Sequence, residues 1–433
     1  MAEPSLSYEE ALAAVLARAR PLGSETVPLA QAPGRVLAQD AVAGRDDPPA
    51  PKSAMDGFAL RAADSAAACG EAPVTLAYGE VVGAGALARG RVAPGGAVRI
   101  MTGALLPEGA DAVVKQEDTQ AAGPGRFRVT RPLAGGENVV PRGARSAAGE
   151  RLLAAGQVIG PQAVGVLAGL GLASVAVFRR PRVALLALGN ELVDVGRPLA
   201  PGQIHVSNLY ALEALAARHG AEIRRLGILG DDPAPIVERL APCLERAGAD
   251  ACDVIVTLGG SHQGDFDPVR AVLEQLGATP LFNRTRINLG GSTRFASQGA
   301  VLCFGLPGTP GAAWGAYELL VRPALWRLAG RARLEHPLLP ARLTHDLRWR
   351  AGPPGVSRRH FAPVRLDFGP DSGLHSGQYS GAGVDPPLAH PIKGRHSFET
   401  PAAPLPDGLA LCPPEGDFIA AGETVAVMWL GEP

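Results

Sequence analysis

Val183-Ala184-Leu185-Leu186-Ala187-Leu188 is six apolar side chains in succession. A strand with both faces apolar must be covered on both sides, as the central strands of a parallel sheet are. The pattern recurs at Val254-Ile255-Val256-Thr257-Leu258 and at Val301-Leu302-Cys303-Phe304. Between these runs the period changes. Asn208 to Gly220 carries Leu209, Leu212 and Leu215 at helical spacing with a glycine stop, a strand follows at 221–228, and helices are predicted at 234–247, 268–276 and 310–328. Such alternation predicts a three-layer α/β domain over 181–329, its parallel sheet faced by helices on both sides.

The 433 residues exceed one ordinary core, so further domains are expected. Ser7 with Glu10 three residues later predicts a capped helix over 7–20, and 149–170 reads as mainly helical with Pro161 opening a second helix. Residues 1–45 and 146–180 would then form a helical linker domain. They enclose an insertion, 46–145, whose strand-like runs at 73–81, 97–100, 111–114 and 126–130 predict a β-rich domain. From 330 onward the strand-like segments 361–368, 408–412 and 423–430 predict a small barrel or sandwich. The fold class expected is multidomain α/β.

Composition narrows the function. A net charge of −1 with 5% aromatic residues excludes a basic nucleic-acid clamp. No run of 18 apolar residues and no signal-peptide pattern occur, so a cytoplasmic location without membrane insertion is expected. Cys69, Cys243, Cys252, Cys303 and Cys412 form no CxxC pair, a usage that fits a reducing compartment better than a disulfide framework or zinc site. His345, His360, His375, His390 and His396 are irregularly spaced and read as surface or packing residues, a metal site being the minor reading.

Ligands of an open parallel sheet bind beyond the carboxyl ends of its strands. Three loops fall there: Gly189-Asn190-Glu191, Gly259 to Asp267, and Gly305 to Pro310. Gly259 and Gly260 let backbone N–H groups approach a phosphate, and Gly308-Thr309-Pro310 opens a helix whose N-terminus favours an anion. Neither Walker A spacing nor a GxGxxG fingerprint is present. Asp265 and Asp267 flank Phe266, and Glu191 lies on the neighbouring loop. Carboxylates beside phosphates call for a cation, ordinarily magnesium. Asp267 before Pro268 and Asp232 before Pro233 also read as helix caps.

These loops sit in a larger set: Ser53-Ala54-Met55-Asp56-Gly57, Met101-Thr102-Gly103, Leu106-Pro107-Glu108-Gly109-Ala110-Asp111, Glu137-Asn138-Val139, Leu188-Gly189-Asn190-Glu191-Leu192, Ser207-Asn208, Asp231-Asp232 and Gly305-Leu306-Pro307-Gly308. In this order, over roughly 8–328, the chain resembles the molybdopterin molybdenumtransferase family, which includes bacterial MoeA and the C-terminal domain of gephyrin. The resemblance implies a helical linker domain, an inserted β domain, an α/β molybdopterin-binding domain and a C-terminal β-barrel. It implies a homodimer whose cleft joins the α/β domain of one subunit to the inserted domain of the other. It also implies adenylylated molybdopterin and molybdate as substrates, magnesium as cofactor and AMP as product. A molybdopterin adenylyltransferase and a recipient molybdoenzyme are the implied partners. Carried over residue by residue, Asp56, Thr102, Glu191, Asp232 and Asp265 would take the catalytic part, with Glu191 and Asp265 at the metal. Gly259, Gly260, Ser261, Gly308 and Thr309 would contact the cofactor.

Departures from the family pattern gather in that site. Asn288-Leu289-Gly290-Gly291-Ser292 stands where a lysine-bearing Pro-Gly-Lys-Pro segment is usual. An ammonium beside an oxyanion supplies charge and donors, so Arg284, Arg286 and Arg294 are candidate replacements, and Asn288→Lys with Gly291→Lys is expected to tighten anion binding. Asn190 and Val206 replace aspartates, and Thr309 replaces asparagine. A noncatalytic molybdopterin carrier is therefore the alternative to the transferase.

Overall fold

The apolar runs occupy the centre of a six-stranded sheet. Its order is Glu222–Leu229, Arg182–Leu188, Val254–Leu258, Val301–Leu306, Arg294–Gln298 and Thr279–Phe282. The first four strands are parallel and the last two antiparallel. This computed structural model describes residues 5–245, 248–260, 268–349, 358–369, 386–392 and 406–431. The sequence pattern predicts the four parallel strands but not the antiparallel edge, whose strands Arg294–Gln298 and Thr279–Phe282 carry only short apolar runs.

Alternation along each strand sorts the side chains into two cores. Val183, Leu185, Ala187, Val254, Val256 and Leu258 face one side, with Leu209, Leu212 and Ala216 of the helix Ser207–Arg218 and the helical run from Pro310 to Leu328. Ala184, Leu186, Leu188 and Ile255 face the other, against Ile236 and Leu240 of Pro233–Leu244 and Val269 and Val272 of Pro268–Gln275. Each fully buried leucine contributes roughly 1.5–3 kcal/mol, so a register slip, which would exchange the two sets, is strongly disfavoured. The three-layer α/β expectation holds.

The chain divides into two compact units: residues 1–38, 156–160 and 174–433, and residues 39–155 with 161–173. Besides the three-layer region, the larger unit contains the helix Tyr8–Arg18, where Ser7 and Glu10 make the reciprocal capping box. Its C-terminal part is a closed five-stranded barrel ordered Leu338–Leu343, Leu388–Pro391, His360–Asp367, Gly408–Cys412 and Thr424–Trp429. His345 and His390 both place Nδ1 near Thr344 Oγ1, at 2.9 and 3.1 Å. His360 is held down to about 4, mainly by burial, while His375 and His396 lie outside the described residues.

The smaller unit is built on a six-stranded sheet ordered Ala112–Lys115, Gly57–Leu60, Gly96–Ile100, Val74–Val82, Arg126–Val129 and Thr119–Ala121. Four of these strands match the predicted runs. Gly57 is required where it stands, because a Cβ there would meet Val114 O at 1.9 Å. The mainly helical reading of 149–170 is corrected. Arg151–Leu153 is a strand paired with Ala41–Val42, and only Pro161–Gly169 is helical. The intervening Gly156, at φ +84°, accounts for the break.

Candidate functional site

The parallel register fixes the site. Ala187 pairs with Leu258, Leu258 with Leu306, and Leu188 with Leu229. All four strands therefore end level, and the loops that follow emerge side by side. Gly259 has φ +88° and its N–H donates to Leu306 O at 3.0 Å. A Cβ at Gly259 would lie 2.4 Å from Leu188 O, and one at Gly308 would lie 3.4 Å from Gly259 Cα. Neighbouring strand ends thus come together only because these loops carry glycine.

A cavity of about 450 Å³ opens at this edge. Its walls include Gly189 and Glu191 from the first loop, Gly259 and Gly260 from the third strand's end, and Gly308 and Thr309 from the fourth. Two helices begin in the wall. Ser207 and Asn208 open one, Thr309 and Pro310 the other. Asn208 Nδ2 donates to Gly308 O at 2.5 Å and ties the two starts together. First-turn N–H groups and the helix dipoles make such a wall receptive to anions.

The side-chain charge is different in sign. Among the described residues no lysine or arginine lines the cavity, while Glu191 does, exposed and with its carboxylate engaged by no described residue. A Cβ at Gly189 would sit 2.6 Å from Glu191 Oε2, so the carboxylate folds back over the glycine. Asn190, in the usual aspartate position, donates to Asp231 Oδ2 at 3.1 Å, leaving Asp231 Oδ1 buried with no described partner. Asp232 caps the helix Pro233–Leu244 by accepting from Ala234 N at 3.2 Å and is not in the cavity wall. Ser261 and Asp265 lie outside the described residues.

Of the candidate replacement arginines, Arg286 is engaged away from the cavity. Arg286 donates to the Ser5 carbonyl and to Glu10 at 3.4 Å, on the N-terminal segment. Arg294 lines a separate cavity of about 40 Å³ with Arg270 and Glu274. Arg284 accepts at its carbonyl from Leu6 N. Asn288 is turned to the barrel: its Nδ2 donates to Phe361 O at 2.9 Å and its Oδ1 accepts from Phe361 N at 2.8 Å. A Cβ on Gly291 would lie 2.9 Å from Ile287 O and 3.9 Å from Arg358 Nη2. Ser292 is the one member of Asn288 to Ser292 that reaches the cavity. At 288 the expectation that a lysine would restore cleft charge is corrected, since that side chain is turned to the barrel, and at 291 a side chain would first meet the Ile287 carbonyl.

Asp56 and Thr102 come together within the smaller unit for a comparable reason. Gly57 pairs antiparallel with Ile100, which brings the preceding and following residues alongside. Asp56 Oδ1 accepts from Thr102 N and from Thr102 Oγ1, both at 2.7 Å. The backbone N–H first, then the hydroxyl, hold the Asp56 carboxyl below its ordinary value. Sequence reasoning placed neither Asn208 nor Ser292 among the site residues. The Ser207-Asn208 motif contained the signal for Asn208, and the Asn288–Ser292 run, set in the site by the family resemblance, contained the one for Ser292.

A family model described as the MoeA N-terminal region (domain I and II) matches residues 6–171, and one described as a probable molybdopterin binding domain matches 184–327. The chain is 34% identical over 341 residues to a molybdopterin molybdenumtransferase of Staphylococcus aureus, covering 79% of this chain and 80% of that one. It is 38% identical over 305 residues to the Bacillus subtilis protein of that name, covering 70% of each. A crystal structure of the molybdopterin biosynthesis MoeA protein from Pyrococcus horikoshii OT3 superposes with TM-score 0.78 at 27% identity, covering 98% of this chain and 100% of that one.

Proposed function

Because the chain belongs to the molybdopterin molybdenumtransferase family, we propose that it inserts molybdate into adenylylated molybdopterin and releases AMP, as a step in molybdenum cofactor biosynthesis. One observation carries the reading: a cavity at the carboxyl edge of the parallel sheet, walled by two helix starts and glycine backbone, with Glu191 as its exposed carboxylate. Backbone N–H groups at Gly259, Gly260, Gly308 and Thr309 would orient the phosphates, and the helix starts would stabilise charge as the phosphoanhydride breaks.

Glu191 fits magnesium, a hard cation that takes one or two carboxylates together with substrate phosphates. When bound, the cation would neutralise phosphate oxygens. That role matters more here than in a lysine-lined cleft, because the described wall supplies no side-chain cation. Asp265 completes the proposed metal set. Arg286, held by Ser5 and Glu10, is not assigned to it. The homodimer is part of the same proposal, and Asp56 and Thr102 enter as residues the partner copy supplies. A molybdopterin adenylyltransferase would deliver the substrate and a molybdoenzyme would receive the product, both in the cytoplasm. No described helix is long and apolar enough to cross a membrane.

The test is AMP formation from adenylylated molybdopterin with magnesium and molybdate. Repeated turnover supports the transferase. The lack of lysine among the described wall residues favours one second reading, a carrier, which would bind at micromolar concentration and form no AMP above a protein-free control.

A further inference from the structure

We propose that Cys243 and Cys252 are a reversible oxidation site, joined as an intramolecular disulfide when the chain meets a peroxide. Cys243 lies in the last turn of the helix Pro233–Leu244, and Cys252 stands just before the strand Val254–Leu258. Cys252 N–H donates to Cys243 O at 2.9 Å, which sets the two residues face to face. A disulfide spans Cα separations of roughly 4.4–6.8 Å, a range that residues joined by a backbone hydrogen bond can meet. The two thiols are close enough to perturb one another, and the Cys252 thiol also donates to the Asp250 carbonyl at 3.3 Å. Both thiols are buried, Cys252 being 7% exposed.

The surroundings differentiate the pair. A hydrogen bond from Cys252, assisted by the Arg224 guanidinium, holds Cys243 below the ordinary thiol value, against burial and the Asp250 carboxylate. Cys252 is pushed up by the same hydrogen bond, by burial and by Cys243, with Asp253 adding to it and Arg224 opposing. Cys243 is thus the nucleophile and Cys252 the resolving thiol. Burial alone pushes Cys303 and Cys412 up to about 12, and Cys69 is exposed.

The chemistry balances. The Cys243 sulfur attacks a peroxide oxygen, the O–O bond breaks, and a sulfenic acid forms with release of water. The Cys252 sulfur then attacks the Cys243 sulfur. The S–O bond breaks, the Cys252 proton leaves with the hydroxide, and a second water departs. Two thiols lose two electrons in all and one hydrogen peroxide is reduced. Opening of the helix's last turn gives a small oxidant its access. Since this helix starts at Pro233 and this strand ends at Leu258, beside the cavity's Gly259, the link staples the opposite ends of the two elements. It is a clamp on stability that leaves the cavity wall unchanged.

The experiment is peptide mapping of the full chain after hydrogen peroxide, with free thiols blocked before digestion. Trypsin cuts after Arg246, between the two cysteines, so the link joins peptides that otherwise separate. The expected result is one joined species, two hydrogens lighter than its parts and separated by dithiothreitol. The oxidised chain should melt a few degrees higher than the reduced one, because a loop of ~10 residues is closed, and Cys252→Ser should abolish that shift. Recovery of Cys243 and Cys252 on separate peptides, blocked or singly oxidised, under conditions that oxidise Cys69 would overturn the proposal. That map on the unaltered chain does not depend on how the variant folds.

Discussion

Asn288→Lys would introduce the ammonium that the family resemblance implies for this segment, and the structure predicts that it damages the protein without helping the site. Asn288 makes two hydrogen bonds to the backbone of Phe361, a residue with 0% exposure. Each such bond is worth about 0.5–1.5 kcal/mol net, and a buried partner left unsatisfied costs about 1–3 kcal/mol. Lysine replaces neither the acceptor for Phe361 N–H nor the donor held in this geometry, so a loss of about 2–4 kcal/mol is expected. Asn288→Asp keeps an acceptor and loses the donor, and should cost roughly half as much. Urea unfolding followed by tryptophan fluorescence reads this out, because Trp314, Trp326, Trp349 and Trp429 all lie in the larger unit. Titration with AMP at low and high salt reads the site. The reasoning is refuted if Asn288→Lys is as stable as the parent and binds AMP about tenfold tighter at low salt, with the gain screened at high salt.

Two further outcomes follow from the site. Glu191→Gln should weaken the magnesium dependence of AMP release by roughly 10–100-fold and leave the melting temperature unchanged, since no described residue engages the carboxylate; a fall in melting temperature would show a structural role instead. Asp56 has a lowered folded pKa, caused first by the Thr102 N–H and then by the Thr102 hydroxyl. Its stabilisation is therefore fully present above the unfolded carboxylate value of about 3.9 and is lost as pH falls through the lower folded value. Between about pH 5 and 2, melting of Asp56→Asn should depend less on pH than melting of the parent, and identical profiles would contradict the assignment.

What the sequence disclosed follows a physical line. Leu185 and Leu186 point to opposite cores, and a run apolar on both faces can report only a central strand. The loops after such strands are placed by the sheet itself, which is why Gly189, Gly259 and Gly308 could be assigned to one edge from the sequence alone. Arg286 and Asn288 could not be placed in this way. Their segment lies beyond any regular element, and its direction is decided by long-range partners, Ser5 and Glu10 for one and Phe361 for the other. Asp232 shows a third case. Its cap signal and its motif membership were both readable, and only geometry shows the carboxylate on Ala234 N. The 149–170 reading failed because Arg151–Leu153 has too few residues for periodicity to separate strand from helix.

The central claim is that a cavity lined by helix starts and the Glu191 carboxylate, with no lysine or arginine among its described residues, still performs molybdenum transfer when magnesium is supplied. The direct measurement is a single-turnover reaction of the full chain with adenylylated molybdopterin and molybdate, counting AMP released and molybdenum retained on the dithiolene. One AMP per retained molybdenum, with both lost when magnesium is chelated, is the predicted result. Bound substrate with neither AMP nor molybdenum, at any magnesium concentration, would contradict it.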